Sequence, residues 1–473
     1  MILAYDIGTS FLKGAVVTEN GKILARAQVP VRMAASADRE RYEWDADSWL
    51  SGMALVTAQL GLREKGKLRG VVVSANGPTL VPVNADGEPL ALAMSWMDRR
   101  GWEEAELIAE FTDSPVDPSF YLPKAFWIMR HEPELYEKTR YFLPCAEFID
   151  FFLTGNAVRI LPTALFREFF WNEGAIPRVR LDPDRFPSFV EPGDLIGSVS
   201  DKAADILGLP AGLPVIAGGP DFIMSIVGTA SMQPGRTCDR AGTSEGVNLC
   251  WSAPVRDPKL LCFPHVVRSL YNISAMFSTS GSALDWAARN LGGHKPDIDA
   301  LFREIQGVPA GSDRLLFLPF LSPDRFPIWD PDMRGAFVGL TLEHGRREMM
   351  RAVVESTGFA VRSVVAAMEA GGCHVADLRV TGSQTRLPLW CQVRADITGK
   401  KVLLPEQEDA ELIGNACVGF FGLEDFESLS AAAESLVRFQ RTFTPDHSAA
   451  AIYDEMFARF TRACACLGET LKR

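Results

Sequence analysis

The first thirty residues constrain the fold more than any other stretch of the chain. Ile2-Leu3-Ala4-Tyr5 is a short apolar strand that runs into Asp6-Ile7-Gly8-Thr9-Ser10, and Gly14-Ala15-Val16-Val17 is a second strand. Glu19-Asn20-Gly21-Lys22 reads as a hairpin turn, because Asn-Gly accepts the positive φ angles of a two-residue loop. Ile23 to Ala27 is the third strand. The chain therefore opens as an antiparallel meander, with a Gly/Thr/Ser loop between its first two strands.

Helices and strands then alternate. Ser48 to Leu60, Gly101 to Glu110 and Pro123 to Arg130 read as helices, with Pro133 marking an end or a fresh start. Gly70 to Ser74 is a buried strand, and Val215-Ile216-Ala217 is a strand ending at Gly218-Gly219-Pro220-Asp221. The second half repeats this grammar. Strands flank the turn Gly242-Thr243-Ser244 between Gly235 and Trp251, and a helix from Arg346 to Glu369 stops at Gly371-Gly372. Leu378 to Val380, Pro388 to Thr398, Lys401 to Leu404 and Glu408 to Phe421 continue as strand, helix, strand and helix. Two α/β domains, 1–240 and 241–473, are the simplest division.

Charge and cysteine usage narrow the class. The chain has 473 residues, and 48 Lys and Arg against 60 Asp and Glu leave a net charge of −12. Wrapping a nucleic acid needs clustered basic residues, so nucleic-acid binding is not expected. The nine cysteines form no C-x-x-C pair and the six histidines show no zinc spacing. Reduced, mostly buried thiols and a cytoplasmic location follow. The opening MILAYDIGTS has no basic region followed by a long apolar stretch, and no run of about eighteen apolar residues occurs. Neither a secretory signal nor a membrane span is expected.

Several segments carry potential chemistry. Asp6 ends a strand where a carboxylate can hold Mg²⁺ through water. Gly8, Thr9, Ser10 and Lys13 follow with backbone N–H groups, hydroxyls and an ammonium suited to phosphate oxygens. Read blandly, the same residues make an ordinary hairpin with an Asx turn. Gly242-Thr243-Ser244 is a second loop of the same kind. Asp221 lies just past a buried strand, placed to take a proton from an attacking hydroxyl or to serve as a helix N-cap. Trp96-Met97-Asp98-Arg99-Arg100 offers an aromatic face, a carboxylate and a guanidinium to a polyol, or an ion pair beside a core Trp. Asn76-Gly77 is either a turn or a ligand contact. The loop Thr381-Gly382-Ser383-Gln384 offers a backbone surface to an adenine or ribose, with the helix carrying Gly414-Asn415-Ala416 closing over the base.

Other motifs do not hold. Gly61 to Lys67 has P-loop spacing, but Leu68 follows where Ser or Thr is needed. Gly242 to Gly246 matches G-x-S-x-G, yet a strand follows where a nucleophile elbow needs a helix. Cys145 has no histidine nearby in sequence, so a buried thiol is expected there.

Taken in order, these segments resemble the FGGY carbohydrate kinases, within the superfamily of actin, hexokinase and the heat-shock chaperone ATPases. Glu43 to Trp49 resembles the family's E-x-D-x-x-x-W stretch, Trp96 to Arg100 its W-x-D-x-R, and Lys124 to Trp127 its K-x-x-W helix. Gly335 to Leu340, followed by Glu348, Met349, Ala352 and Glu355, is similar to its C-terminal signature. The resemblance implies two ribonuclease-H-like α/β domains with an interdomain cleft, transferring the γ-phosphate of ATP to a sugar or polyol hydroxyl. By that resemblance Asp221 is the general base, and Asp6 and Asp221 serve Mg²⁺. Thr9, Ser10, Lys13, Thr243 and Ser244 hold phosphates, while Gly382, Ser383 and Asn415 meet the adenosine. Asn76, Gly77, Trp96, Asp98, Arg100 and Phe222 face the substrate, and a homodimer is the assembly often found among related kinases. Xylulose kinases, the nearest subgroup, usually carry Met-His-Gly where this chain has Ala75-Asn76-Gly77, and Asn where it has Phe222. The adenosine loop, normally G-G-G-A-x-S, is Gly382 to Leu387 here, and the usual G-E-R-x-P is Pro323 to Pro327. That atypical loop motivates a second reading, a sugar- or nucleotide-binding regulator of the same fold with weak catalysis.

Overall fold

A computed structural model describes the chain except for residues 35–40, 63–66, 113–115, 293–296, 323–332 and 472–473. The substituted Pro323 to Pro327 segment and part of the Gly61 to Lys67 connection lie outside the described residues. The opening meander forms as expected: Ile2–Ile7, Phe11–Val17 and Ile23–Pro30 pair antiparallel in sequence order. Ile2–Ile7 then pairs parallel with Gly70–Ala75, which pairs parallel with Pro214–Pro220. Leu195–Ser198 adds antiparallel to give a six-stranded sheet. The central strands are buried along their whole length, which is why they read as continuous apolar runs rather than alternating ones.

The second sheet repeats this plan. Arg236–Ala241, Glu245–Trp251 and Tyr271–Phe277 form an antiparallel meander. Arg236–Ala241 pairs parallel with Asp377–Thr381, which pairs parallel with Lys401–Pro405. Leu261–Pro264 and Phe439–Phe443 complete seven strands. In both sheets the first two strands are joined by the same tripeptide, Gly8-Thr9-Ser10 and Gly242-Thr243-Ser244. Helices cover the sheets. Arg346–Ala370 lies in the second unit and stops where Gly372 takes a φ of 88°. Its Glu355, part of the C-terminal signature, is buried and accepts from Gly311 N, Ser312 Oγ, Arg351 Nε and Tyr453 Oη.

The compact units do not follow a single cut near residue 240. The first comprises Met1–Ala230, Val266–Arg268 and Ala410–Val437; the second comprises Ser231–His265, Ser269–Asp409 and Arg438–Arg473. Two glycines explain the return of the chain to the first unit. Helix Asp221–Gly228 packs on helix Ala410–Gly422 so closely that a Cβ on Gly228 would overlap Ala410 O, and one on Gly414 would overlap Met224 O. The sequence shows those glycines but not that they face each other across 186 residues of chain.

Cys145 and Cys464 are buried and Cys466 is exposed. Among the described residues no helix is long and apolar enough to cross a membrane. Cys145 begins the helix Cys145–Thr154, which carries two buried acids. Glu147 accepts from Ile160 N at 2.8 Å, and burial pushes its carboxyl up to about 7. Asp150 has no hydrogen-bond partner for either carboxylate oxygen, and burial, then the charge of Glu147, raises its pKa well above the ordinary range.

Two outcomes test this packing. A folded-state pKa raised at Asp150 means the folded chain holds a proton that the unfolded chain releases above about pH 4, so stability falls as pH rises through that point. Asp150→Leu, with the same branched four-atom skeleton and free of the unpartnered acid, is expected to stabilise the chain by about 1–3 kcal/mol at pH 8 in urea titrations. The gain should shrink toward pH 4, and a gain independent of pH would contradict the argument. Gly414→Ala forces a methyl against the Met224 backbone and is expected to cost about 1–3 kcal/mol or more. An unchanged thermal midpoint would show that the two helices separate at no cost.

Candidate active site

The chemistry-bearing side chains of the first unit gather around the end of Ile2–Ile7. Asp6 lies opposite Lys13 on one neighbouring strand and opposite Ser74 on the other. Ser74 Oγ donates to Asp6 Oδ1 at 2.8 Å. Asp6 is buried, and burial, the Glu411 charge and the Asp221 charge push its carboxyl well above the ordinary range, against the pull of Lys13 and of the Ser74 hydroxyl. Two carboxylates from distant parts of the sequence thus act on Asp6.

Asp221 is presented by a strained approach. Pro214–Pro220 passes so near its neighbour that a Cβ on Gly218 would overlap Val73 O, and Gly219 takes a φ of 134°. Asp221 follows as the first residue of its helix and is half-exposed. Pro220, not Asp221, occupies the cap position, so the N-cap reading fails. The helix is fixed by Ser225, whose Oγ donates to Asp221 O at 3.1 Å and to Glu411 Oε1 at 2.8 Å.

The first Gly-Thr-Ser loop closes with Gly8 N donating to Phe11 O at 2.9 Å, leaving Thr9 half-exposed and Ser10 exposed. Trp96 Nε1 donates to Thr9 Oγ1 at 3.2 Å, which ties the W-x-D-x-R stretch to the loop. Asp98 and Arg100 are largely spent on each other. Arg100 donates to Asp98 Oδ1 at 2.9 Å, to Asp98 Oδ2 at 2.6 Å and to Glu43 at 2.5 Å, while Asp98 Oδ2 also accepts from Tyr42 N. The ion-pair reading describes this geometry, except that the pair is buried rather than exposed. Asn76 likewise pins its own loop, donating to Ile7 O at 2.9 Å and accepting from Thr79 Oγ1 at 2.7 Å. Lys124 Nζ donates to Pro78 O at 2.6 Å, and burial lowers its pKa to about 7.

Asn415, which the sequence reading placed near an adenosine, has partners of its own within the first unit. Its helix belongs to the first unit, where its Nδ2 donates to Tyr5 O at 2.8 Å and to Ser74 Oγ at 2.9 Å. The physical reason is the glycine contact that brings Ala410–Gly422 onto Asp221–Gly228. Asn415 thereby fixes the serine that fixes Asp6.

In the second unit, Gly242-Thr243-Ser244 is braced from behind. Gly281 N and Gln384 Nε2 donate to Gly242 O, and Ser280 N and Ser282 N donate to Thr243 O. Gly382, at a φ of 110°, lies against Ala241 so tightly that no side chain fits. Behind the loop, Arg394 pairs with Asp239 and Glu245, stacks on Trp390 at 3.9 Å, and Ser280 Oγ donates to Glu245. Thr243 and Ser244 remain exposed.

Sequence reasoning missed Glu411 and gave Lys124 and Arg394 no role. Each is a charge flanked by apolar residues within a helix, and that was the available signal. The first site fits Mg²⁺: Asp6 and Asp221 are hard oxygen donors, and the like charges around buried Asp6 favour a cation. Among the described residues no three acidic, His or Cys groups could hold a metal ion by themselves, which leaves ligand positions for water and phosphate.

Comparison with known proteins agrees with this arrangement. The chain is 27% identical to xylulose kinase from Bacillus subtilis (strain 168), covering 96% of this chain and 95% of that one. It is 23% identical to gluconokinase from the same organism, covering 92% and 90%. The fold resembles xylulose kinase from Rhodospirillum rubrum (TM-score 0.87, 26% identity, covering 100% and 99%). It also resembles gluconate kinase from Lactobacillus acidophilus (TM-score 0.89, 22% identity, 98% of each chain). Residues 1–228 match the N-terminal domain, and residues 240–423 the C-terminal domain, of the FGGY family of carbohydrate kinases. With most of its length matched and an actin-like ATPase fold of two α/β domains, the chain belongs to the FGGY family of carbohydrate kinases and is a phosphotransferase.

Proposed function

We propose that this kinase transfers the γ-phosphate of ATP to a hydroxyl of a small sugar, sugar acid or polyol, with Asp221 as general base. The observation that carries the reading is the position of Asp221: half-exposed, just past a strand end, with its charge acting on buried Asp6. The Asp221 carboxylate accepts the proton of the acceptor hydroxyl as its oxygen attacks the γ-phosphorus. Thr9, Ser10 and Lys13 in the first unit, and Thr243 and Ser244 in the second, are the phosphate-binding groups, with Gly382 and Ser383 in the loop that meets the nucleoside. Asp6 and Asp221 would hold Mg²⁺, which when bound supplies positive charge to neutralise the phosphate oxygens. Asp6 is kept in place by Ser74 and Asn415, and Asp221 by Ser225 and Glu411. Little covalent chemistry is asked of the protein, so this positioning is the main contribution.

The acceptor is a relative of xylulose or gluconate, the compounds named by the similar kinases, and Phe222 argues against xylulose itself by removing a polar partner. Mostly buried cysteines scattered through the fold, with no C-x-x-C pair in the sequence, suit a reducing compartment, which supports a cytoplasmic location.

Two measurements test this. A coupled ADP-release assay over ketopentoses, aldonates, aldoses and polyols is expected to show acceptor-dependent turnover, and none with any acceptor from folded protein would remove the reading. Asp221→Asn should lower turnover by about 10²-fold or more while calorimetric ATP binding persists. Undiminished turnover would take the base role from Asp221.

A further inference from the structure

Beside Asp221 the first unit holds an aromatic wall with one unused polar group. Tyr121 opens the helix Tyr121–His131, and its ring is buried, only 6% exposed. It stacks on Trp171 with centroids 4.5 Å apart and planes 18° from parallel. Trp171 is held from elsewhere by Arg159, whose guanidinium lies 4.7 Å from the ring centroid and is anchored to Pro187 O and Glu173. The ring of Tyr121 therefore has little freedom. Its hydroxyl makes no hydrogen bond to a described residue and is not among the fully enclosed unpartnered atoms, so the oxygen at the tip of this fixed ring is open to solvent and to a ligand.

The hydroxyl points at the loop that follows Gly70–Ala75. A side chain on Gly77 would begin 3.0 Å from the Tyr121 oxygen, so glycine there is what gives the phenol room. Phe170 stands at 6.3 Å from the Tyr121 ring and 6.3 Å from Phe222, the residue after Asp221. Phe170 and Trp171 end a single π-helical turn, Arg167–Trp171, an irregularity that often marks functional sites. Burial, then the charges of Glu147, Cys145 and Asp221, raise the phenol pKa well above its ordinary range. The group therefore stays protonated and able to donate.

We propose that Tyr121 is a specificity-determining residue of the acceptor site, its phenol bonding one oxygen of a sugar or sugar acid whose C–H face lies on Phe170 and Phe222. This rests on Asp221 being the base. The wall rewards carbon skeleton where Asn at position 222 would have rewarded a hydroxyl. A five- or six-carbon acceptor offers both a C–H face for the rings and a separate oxygen for the phenol; three-carbon glycerol has less apolar face to offer.

The test uses full-length enzyme with D-xylulose, D-gluconate and glycerol, then the monodeoxy analogues of whichever acceptor turns over fastest. Tyr121→Phe should raise the KM of that acceptor about tenfold, the loss of one hydrogen bond, without moving the KM for ATP or the thermal midpoint. One monodeoxy analogue, lacking the oxygen that Tyr121 reads, should show no difference between wild type and Tyr121→Phe. Gly77→Ala, which crowds the same hydroxyl, should reproduce the acceptor effect. Wild-type turnover with an acceptor KM unchanged in both variants overturns the assignment and leaves Asp221 standing. An equal change in the KM for ATP also overturns it, because a merely structural role predicts that. Wild-type turnover faster with glycerol than with either longer acceptor removes the aromatic-wall argument. Absence of wild-type turnover with all acceptors removes the kinase reading and this inference together.

Discussion

The contact between Gly228 and Gly414 organises the first unit. Two helices approach until there is no room for a methyl group on either, and this draws Ala410–Gly422 out of the sequence neighbourhood in which it was written. Everything at the proposed catalytic centre depends on it. Asn415 reaches Ser74 and Tyr5 because of it, Ser74 then holds Asp6, and Glu411 meets Ser225 beside Asp221. One close packing contact thus translates into the placement of three carboxylates.

Those carboxylates are arranged at an electrostatic cost. Asp6 is buried beside Glu411 and Asp221, with Lys13 as the opposing charge. Such repulsion is unfavourable in the empty protein and becomes favourable when a cation and phosphate oxygens enter. The net charge of −12 says nothing against the proposed phosphate site, because anion recognition depends on local groups and not on the charge sum of the chain. The second unit solves a different problem. Its Gly-Thr-Ser loop is braced through backbone carbonyls, and a buried arginine with two carboxylates supports the strand that follows. Loss of Arg394 would leave those carboxylates buried and unpaired, a state far more costly than the ion pair is beneficial.

Much of the fold was legible because periodicity and turn chemistry are local. The meander, the Asn-Gly turn, both Gly-Thr-Ser loops and the strand leading to Asp221 follow from residues adjacent in sequence. The candidate site was legible in part, through motifs whose residue types match phosphate and proton chemistry. What sequence could not supply was the destination of polar side chains. Asn415 carries the right chemistry for a ligand contact, but its Nδ2 donates to Tyr5 O and Ser74 Oγ. Asp98 and Arg100 look like polyol ligands and instead largely saturate one another and Glu43. Tyr121 looked like one aromatic among many. Its distinction is a ring fixed against Trp171 with its hydroxyl open beside Gly77, which only packing reveals.

The central claim is that phosphate leaves ATP for a carbon-bound hydroxyl and not for water. Phosphorus NMR of a reaction mixture containing the enzyme, ATP, Mg²⁺ and the acceptor panel reads that partition directly. The account predicts a new phosphomonoester resonance that grows in step with ADP while inorganic phosphate stays near background. Growth of inorganic phosphate alone, or ATP left unconsumed with every acceptor, would contradict it.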